Sequence, residues 1–322
     1  MKPSWFRNCL GVADAGNGLL PMRFTDAQLE FFERRPHRFR CDNSAGICLD
    51  VRTDSAFLRM RYRAAIKPGT TEQLLFDVYV DDVLVGVAGD TVTDEGAGEW
   101  TIDLPIQPGK PRRVTVYFPY LASVTVEALV LAERASCEPA EPHPRNLLCF
   151  GDSITQGMNA VHPSQTYPVL LARQLRMNLL NQAISGFVFH PGMIDPALPY
   201  RPDLVTVAYG TNDWALCDSI ERFEEQADGF IGTLSELYAD VPIAVMSPLW
   251  RADLNDRKPC GPFFGIHERL ERICGSQPNV QYIDGLALTP HHERFYADGL
   301  HPNDQGFFHM TLSLLRRLTL AE

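Results

Sequence analysis

The hydrophobic period of the chain changes once. Between Arg38 and Glu133 apolar residues come in short runs: RFRCD, ICLDVRT, FLRMRYRA, LLFDVYVDDVLVGVAG, EWTIDLP and RRVTVYF. Several alternate apolar with polar positions, as strands with one buried face do. Asp81-Asp82 divides two such runs and predicts a hairpin turn, because Asp tolerates turn geometry. Pro108-Gly109 predicts another turn. No long helical period interrupts this stretch, so it predicts an antiparallel β-sandwich. Ahead of it, FTDAQLEFFERR predicts a short helix with Thr25 at its N-cap.

After a segment with Pro139, Pro142 and Pro144, the pattern alternates between two periods. LLCF, LLNQAI, LVTVAYG, VPIAVMSP and VQYID read as strands. YPVLLARQL, IERFEEQADGFIGTLSELY, FFGIHERLERIC and DQGFFHMTLSLLRRL carry helical spacing. Strand–helix alternation predicts a parallel sheet with helices on both faces. The expected organisation is therefore a β-sandwich over residues 1–135, a linker over 136–146 and an α/β domain over 147–322. A length of 322 residues agrees with two domains, at roughly 150 residues each.

Composition narrows the partners. Hydrophobic residues make up 45% and charged residues 21%, enough apolar material for two cores. The formal net charge of −11 argues against nucleic acid, which calls for a basic stripe. The densest basic stretch, Arg34, Arg35, His37, Arg38 and Arg40, is interrupted by Pro36 and Phe39 and reads as a solvated segment entering a strand. No apolar run approaches the roughly 20 residues of a membrane span, so no membrane partner is expected. MKPSWFRNCLGVADAG lacks the apolar core of a signal peptide, which predicts a cytoplasmic protein. Eight cysteines without C-x-x-C spacing predict free thiols and no structural zinc. His291-His292 is the nearest approach to a metal pair and reads as surface loop, so neither metal nor cofactor is expected.

Ligands of such sheets bind beyond the C-terminal strand ends. Gly151-Asp152-Ser153 follows LLCF, Ser185-Gly186 follows LLNQAI, Gly210-Thr211-Asn212-Asp213 follows LVTVAY, and Asp298-Gly299-Leu300-His301 precedes the last helix. These types suit acyl transfer. A serine hydroxyl needs a base, histidine is the best base near neutral pH, and a carboxylate orients it. The amides of Ser153 and Gly186 and the side chain of Asn212 are candidate donors to an oxyanion. Gly192 is a rival for the Gly186 role. Asp213 is given no catalytic part, only that of orienting its loop. Phe187, Phe189, His190, Trp214 and Trp250 follow strands at the same edge and are candidate substrate contacts, or packing beneath loops.

FGDSIT, the glycine after the second strand, GTND and DGLHP together resemble the GDSL/SGNH hydrolase family, over roughly residues 146–320. The resemblance implies a flavodoxin-like three-layer fold with a parallel sheet, here behind a jelly-roll-like all-β domain. It implies Ser153, His301 and Asp298 as a triad. It implies an oxyanion hole of Ser153, Gly186 and Asn212. The order differs from α/β-hydrolases, whose nucleophile sits in G-x-S-x-G with the acid well before the histidine. Family members with a preceding sandwich act on acylated carbohydrates or transfer acyl groups. Three functions follow as expectations: hydrolysis of short acyl esters such as O-acetyl groups on a small molecule or carbohydrate, acyl transfer by the same triad, and non-catalytic carbohydrate binding. The last predicts a lost triad member, and none is lost.

Overall fold

The computed structural model describes residues 1–319. Its N-terminal half is two antiparallel sheets around one core. One sheet contains β1 (Phe6–Arg7), β4 (Cys48–Thr53), β6 (Thr71–Val80), β7 (Val83–Thr93) and β9 (Arg112–Tyr117), in the order β1-β4-β9-β6-β7. The other contains β2 (Gly11–Asp14), β3 (Leu19–Met22), β5 (Phe57–Ala65), β8 (Glu95–Asp103) and β10 (Ser123–Leu131), in the order β2-β3-β10-β5-β8. Their inner faces pack Met60, Tyr62, Phe76, Val78, Val114, Val116, Val124 and Val126. Val80 pairs with Val83 across Asp81-Asp82, and both aspartates take positive φ. That is the two-residue hairpin that suits the right-handed twist of paired strands.

The C-terminal half is a five-stranded parallel sheet. Its strands are β12 (Arg145–Gly151), β13 (Met177–Asn181), β14 (Leu204–Ala208), β15 (Ile243–Met246) and β16 (Val280–Ile283), in the order β13-β12-β14-β15-β16. This is the flavodoxin-like order, with a switch point beside its first strand. Alternate residues serve two cores. Leu148, Phe150, Val205, Val207, Ile243 and Val245 face one side, with Phe223, Phe230, Ile266 and Leu270. Leu147, Cys149, Leu204, Ala244 and Met246 face the other, with Val169, Leu171, Phe307 and Met310. A helix layer therefore covers each face, and no helix among the described residues is long and apolar enough to cross a membrane.

The structure differs from the sequence reading at three places. RFRCD is not a strand: Arg38–Cys41 is a short helix following the helix Asp26–Phe32, which Thr25 caps as expected. Their side chains Phe32 and Cys41 join Phe24 in the core of the parallel sheet, so residues 24–41 pack with the C-terminal body although they lie between the sandwich strands β3 and β4. The segment 136–146, expected to be a linker, carries strand structure at both ends. Cys137–Pro139 (β11) pairs with β4, continuing the edge that β1 leaves, and β12 already begins at Arg145. Proline tolerates such an edge position, because one side of an edge strand needs no donor.

The two halves also share apolar surface: Cys48, Tyr79 and Tyr117 of the sandwich lie in the same core as Leu147 and Cys149. Polar contacts reinforce the junction. The buried Asp77 accepts from the Ser164 amide at 2.9 Å and meets His162 Nδ1 at 2.8 Å, and Tyr79 meets Ser164 Oγ at 2.9 Å. The sandwich is thus a fixed flank of the α/β domain.

Candidate active site

Ser153 opens a one-turn helix (Ser153–Gln156) at the C-terminal end of β12. The turn is tight: a Cβ on Gly151 would stand 2.0 Å from Thr155 Oγ1 and 2.9 Å from the Ala208 carbonyl oxygen. Asp152 caps the helix by accepting from the Ile154 amide at 2.9 Å. Ser153 Oγ lies 2.8 Å from His301 Nε2, and His301 Nδ1 lies 2.7 Å from Asp298 Oδ2. Three residues from two distant segments thus form one hydrogen-bonded chain in the order a base-assisted nucleophile requires.

Asp298 is built to stay ionised. Burial alone would raise its pKa, but the amide and ring of His301 and the amide of Leu300 outweigh it and hold the carboxyl below its ordinary range. Its Oδ1 accepts from the amides of His301 (2.8 Å) and Leu300 (3.0 Å). Its Oδ2 also accepts from Asn159 Nδ2 at 2.9 Å. Asn159 was not singled out by sequence. It sits at φ 68° in the loop after the serine helix, a conformation Asn tolerates better than most residues. Tyr120 of the sandwich braces that loop, donating from its hydroxyl to the Ala160 carbonyl at 2.8 Å.

The segment that carries Gly186 is tied to the serine turn. Ile184 donates to the Gly151 carbonyl oxygen at 2.9 Å, and the Ser185 amide donates to Gln156 Oε1 at 2.8 Å, so Gly186 follows directly on a segment tied to the serine helix. Gly186 takes φ +78°, which a residue with a Cβ rarely adopts. Among the described residues the amides of Ser153 and Gly186 have no acceptor. Gly192 does not compete, because its amide is already engaged by His190 Nδ1 at 3.1 Å. Asn212 donates one amide hydrogen to the Phe187 carbonyl at 3.0 Å, which leaves the other for a ligand. Asp213 orients the loop as the sequence suggests, accepting from Phe189 N at 3.0 Å and Gly210 N at 2.9 Å.

The aromatic candidates divide. Phe189 and Trp214 are fully buried, and Phe187 is 3% exposed. Phe189 packs on Tyr209, Phe223 and Phe230, and Trp214 packs on Phe263 while donating from Nε1 to the Gly261 carbonyl at 2.9 Å. These three shape the floor beneath the loops and offer no open surface to a ligand. His190 is half-buried between Phe31 and Phe187, 4.9 Å and 6.3 Å between ring centroids. Trp250 is half-buried on Tyr296, and two residues later the Ala252 amide donates to the Gly299 carbonyl at 2.8 Å, inside the Asp298–His301 loop. His291 Nε2 donates to the Leu286 carbonyl oxygen at 2.7 Å, and among the described residues no three His, Cys, Asp or Glu side chains converge as a metal site would need.

Sequence reasoning also missed the N-terminal contribution. Arg40 donates from Nη1 to the Ser185 carbonyl oxygen, and His37 lies beside Gly186. The basic stretch read as solvated therefore lies against the candidate oxyanion loop.

Residues 149–307 match the GDSL-like lipase/acylhydrolase family. The C-terminal half is a GDSL-like lipase/acylhydrolase domain. Solved structures resemble the whole chain. The salicylyl-acyltransferase SsfX3 from a tetracycline biosynthetic pathway superposes with a TM-score of 0.83 at 23% identity, covering 97% of this chain and 93% of that one. A structure assigned as a GDSL-like lipase from Bacteroides ovatus gives 0.79 at 19% identity, covering 97% and 92%. A family two carbohydrate esterase from Clostridium thermocellum, in complex with cellohexaose, gives 0.68 at 14% identity, covering 96% of each chain. At these identities the likeness establishes a shared two-domain fold. No curated protein sequence matches the chain.

Within the acylhydrolase domain two buried carboxyls carry a stability signature. Burial lifts the pKa of both Asp152 and Asp213 to about 7; at Asp152 the nearby Asp213 adds to the rise while the Ile154 amide and Arg251 oppose it, and at Asp213 only backbone amides oppose it. A carboxyl so raised holds a proton in the folded protein that the unfolded chain has lost, so stability falls as pH rises between about 4 and 7. Asp152→Asn can keep the cap to Ile154 while removing that titration. Relative to wild type it is expected to gain on the order of 1–3 kcal/mol between about pH 4.5 and about pH 8. Thermal melts at the two pH values check this, and an unchanged difference would refute the buried-charge argument.

Proposed function

We propose that this chain is a serine esterase that removes short acyl groups, O-acetyl among them, from a small-molecule or carbohydrate alcohol. The observation that carries the reading is the Ser153–His301–Asp298 hydrogen-bonded chain, at 2.8 and 2.7 Å, beside two amides that have no acceptor among the described residues. In the proposed mechanism His301 takes the Ser153 proton as Oγ attacks the ester carbonyl. The Ser153 and Gly186 amides and Asn212 hold the oxyanion. His301 then protonates the leaving alkoxide, and a water activated by the same imidazole releases the acid. Short acyl groups are favoured because Phe187, Phe189 and Trp214, the aromatic candidates for an acyl pocket, are consumed by core packing. The carbohydrate alcohol is supported by the fold shared with a carbohydrate esterase in complex with cellohexaose.

Acyl transfer is the second reading. It is favoured by the likeness to a salicylyl-acyltransferase along nearly the full length of both chains. Both readings share the acyl-enzyme and differ in what attacks it. With p-nitrophenyl esters from acetate to octanoate, steady turnover that is fastest for acetate and declines with chain length is expected. A stoichiometric burst followed by slow turnover that an added alcohol accelerates would replace the esterase reading with acyl transfer. Absence of both an acyl-enzyme and turnover across the series would refute both in favour of carbohydrate binding without catalysis.

A further inference from the structure

The Ser185–Gly186 peptide is held from behind by a cation. Arg40 Nη1 donates to the Ser185 carbonyl oxygen, and a Cβ placed on Gly186 would stand only 3.0 Å from that nitrogen. The carbonyl of Ser185 and the N–H of Gly186 are two ends of one conjugated, planar amide, and in the trans form they point in opposite directions. A guanidinium on the oxygen draws electron density from the nitrogen. The N–H at the other end becomes a stronger donor, and charge-assisted bonds of this kind are roughly twice as strong as neutral ones.

Arg40 is itself fixed. Its carbonyl oxygen accepts from Arg23 Nη2 at 3.1 Å. Arg23 is 1% exposed and also donates to the carbonyls of Asn43 (2.6 Å), Ala183 (3.2 Å) and Asn181. One buried guanidinium thus ties the Arg38–Cys41 helix to the segment that ends β13 and leads into Ser185-Gly186. The Ser185 amide, on the other side of the residue, is held by Gln156 of the serine helix. Position and polarity of the Gly186 donor are therefore set by groups on both sides of it, one of them from a part of the chain outside the acylhydrolase match.

We propose that Arg40 is a positioning residue of the oxyanion hole, whose guanidinium fixes and polarises the Ser185–Gly186 peptide so that the Gly186 amide binds the transition-state oxyanion better than the ground-state carbonyl. The inference rests on the esterase reading above. Because it strengthens an interaction realised in the transition state, its removal lowers kcat and leaves KM in place.

The test uses the full chain with Arg40→Lys, Arg40→Gln and Arg40→Met, assayed for p-nitrophenyl acetate hydrolysis beside wild type and Ser153→Ala. Removing a whole oxyanion donor costs about 10²–10³-fold, so weakening one is expected to lower kcat by about 10-fold in the neutral variants, with KM within about twofold. Lys keeps the charge and is expected to retain kcat within about threefold of wild type. In amide NMR spectra the Gly186 proton is expected to move upfield in the neutral variants and to stay near its wild-type position in Arg40→Lys. Either neutral variant suffices if its melting temperature matches wild type. Equal losses in Lys and Gln, a rise in KM at unchanged kcat, or an unmoved Gly186 resonance would overturn the proposal. Wild-type hydrolysis that survives in Ser153→Ala would overturn the esterase reading instead, and the Gly186 resonance would still report on the peptide.

Discussion

Ser153→Ala is expected to lower ester hydrolysis by on the order of 10⁵–10⁶-fold while the melting temperature stays within a few degrees of wild type. The two halves of this expectation have different origins. In the proposed mechanism the hydroxyl forms the acyl-enzyme, and it lies 2.8 Å from the imidazole that would deprotonate it. Its bond to His301 crosses 148 residues of sequence, yet the loop holding His301 is tied down independently, by the Asp298 carboxylate, by Ala252 on Gly299 and by the Ala297 amide on the His301 carbonyl. Losing one hydroxyl therefore leaves the fold in place. Stopped-flow and steady-state assays with p-nitrophenyl acetate check the rate, and a thermal melt checks the fold. A variant that keeps most of its turnover in contaminant-free preparations would remove Ser153 from the mechanism.

Asp298→Asn is expected to cost about 10²–10⁴-fold in kcat, with a smaller change in KM. An asparagine can still accept from the amides of His301 and Leu300 through its oxygen. Its amide group would then face His301 Nδ1 and Asn159 Nδ2 with a donor where both now find an acceptor. The imidazole loses the partner that sets its tautomer and stabilises its charged form. The acid side of the pH profile carries a second signature. Asp298 is held below the ordinary carboxylate range against the opposing effect of burial, so it remains ionised as the solution is made mildly acidic, whereas an asparagine carries no charge at any pH. Near-wild-type rates in Asp298→Asn would show that Ser153 and His301 work as a dyad.

Much of this arrangement is legible in the sequence. The period-2 runs of β5 and β9 report a half-buried sheet, since alternate side chains of a strand leave on opposite faces. The nearly continuous apolar runs of β12 and β14 report burial on both faces. Ser153, Asn212 and His301 were legible because each stands directly at a strand or helix end and belongs to a local motif, and local turn chemistry is written in neighbouring residues. Asp298 and His301 share one four-residue loop, so their contact is almost a covalent consequence of the sequence.

What depends on distant partners could not be read this way. Arg38–Cys41 carries the alternation of a strand, yet it closes as a helix, with Cys41 in the core of the parallel sheet and Arg40 on the Ser185 carbonyl. Phe189 and Trp214 have the composition of pocket residues, and only the packing of the helices Ile220–Leu237 and Phe263–Gly275 consumes their surface. Arg23 lies in the run LLPMRF, where a lone cation among apolar residues was a signal of a buried network, though not of its four carbonyl partners. The sequence by itself determined most of the elements, the sheet types and the candidate residues for acyl chemistry, because period and turn chemistry act over a few residues. The tertiary structure alone decided that Arg40 backs Gly186, that Tyr120 braces the Asn159 loop and that the sandwich is fixed to the α/β domain, because burial and hydrogen bonding join positions that the chain keeps far apart.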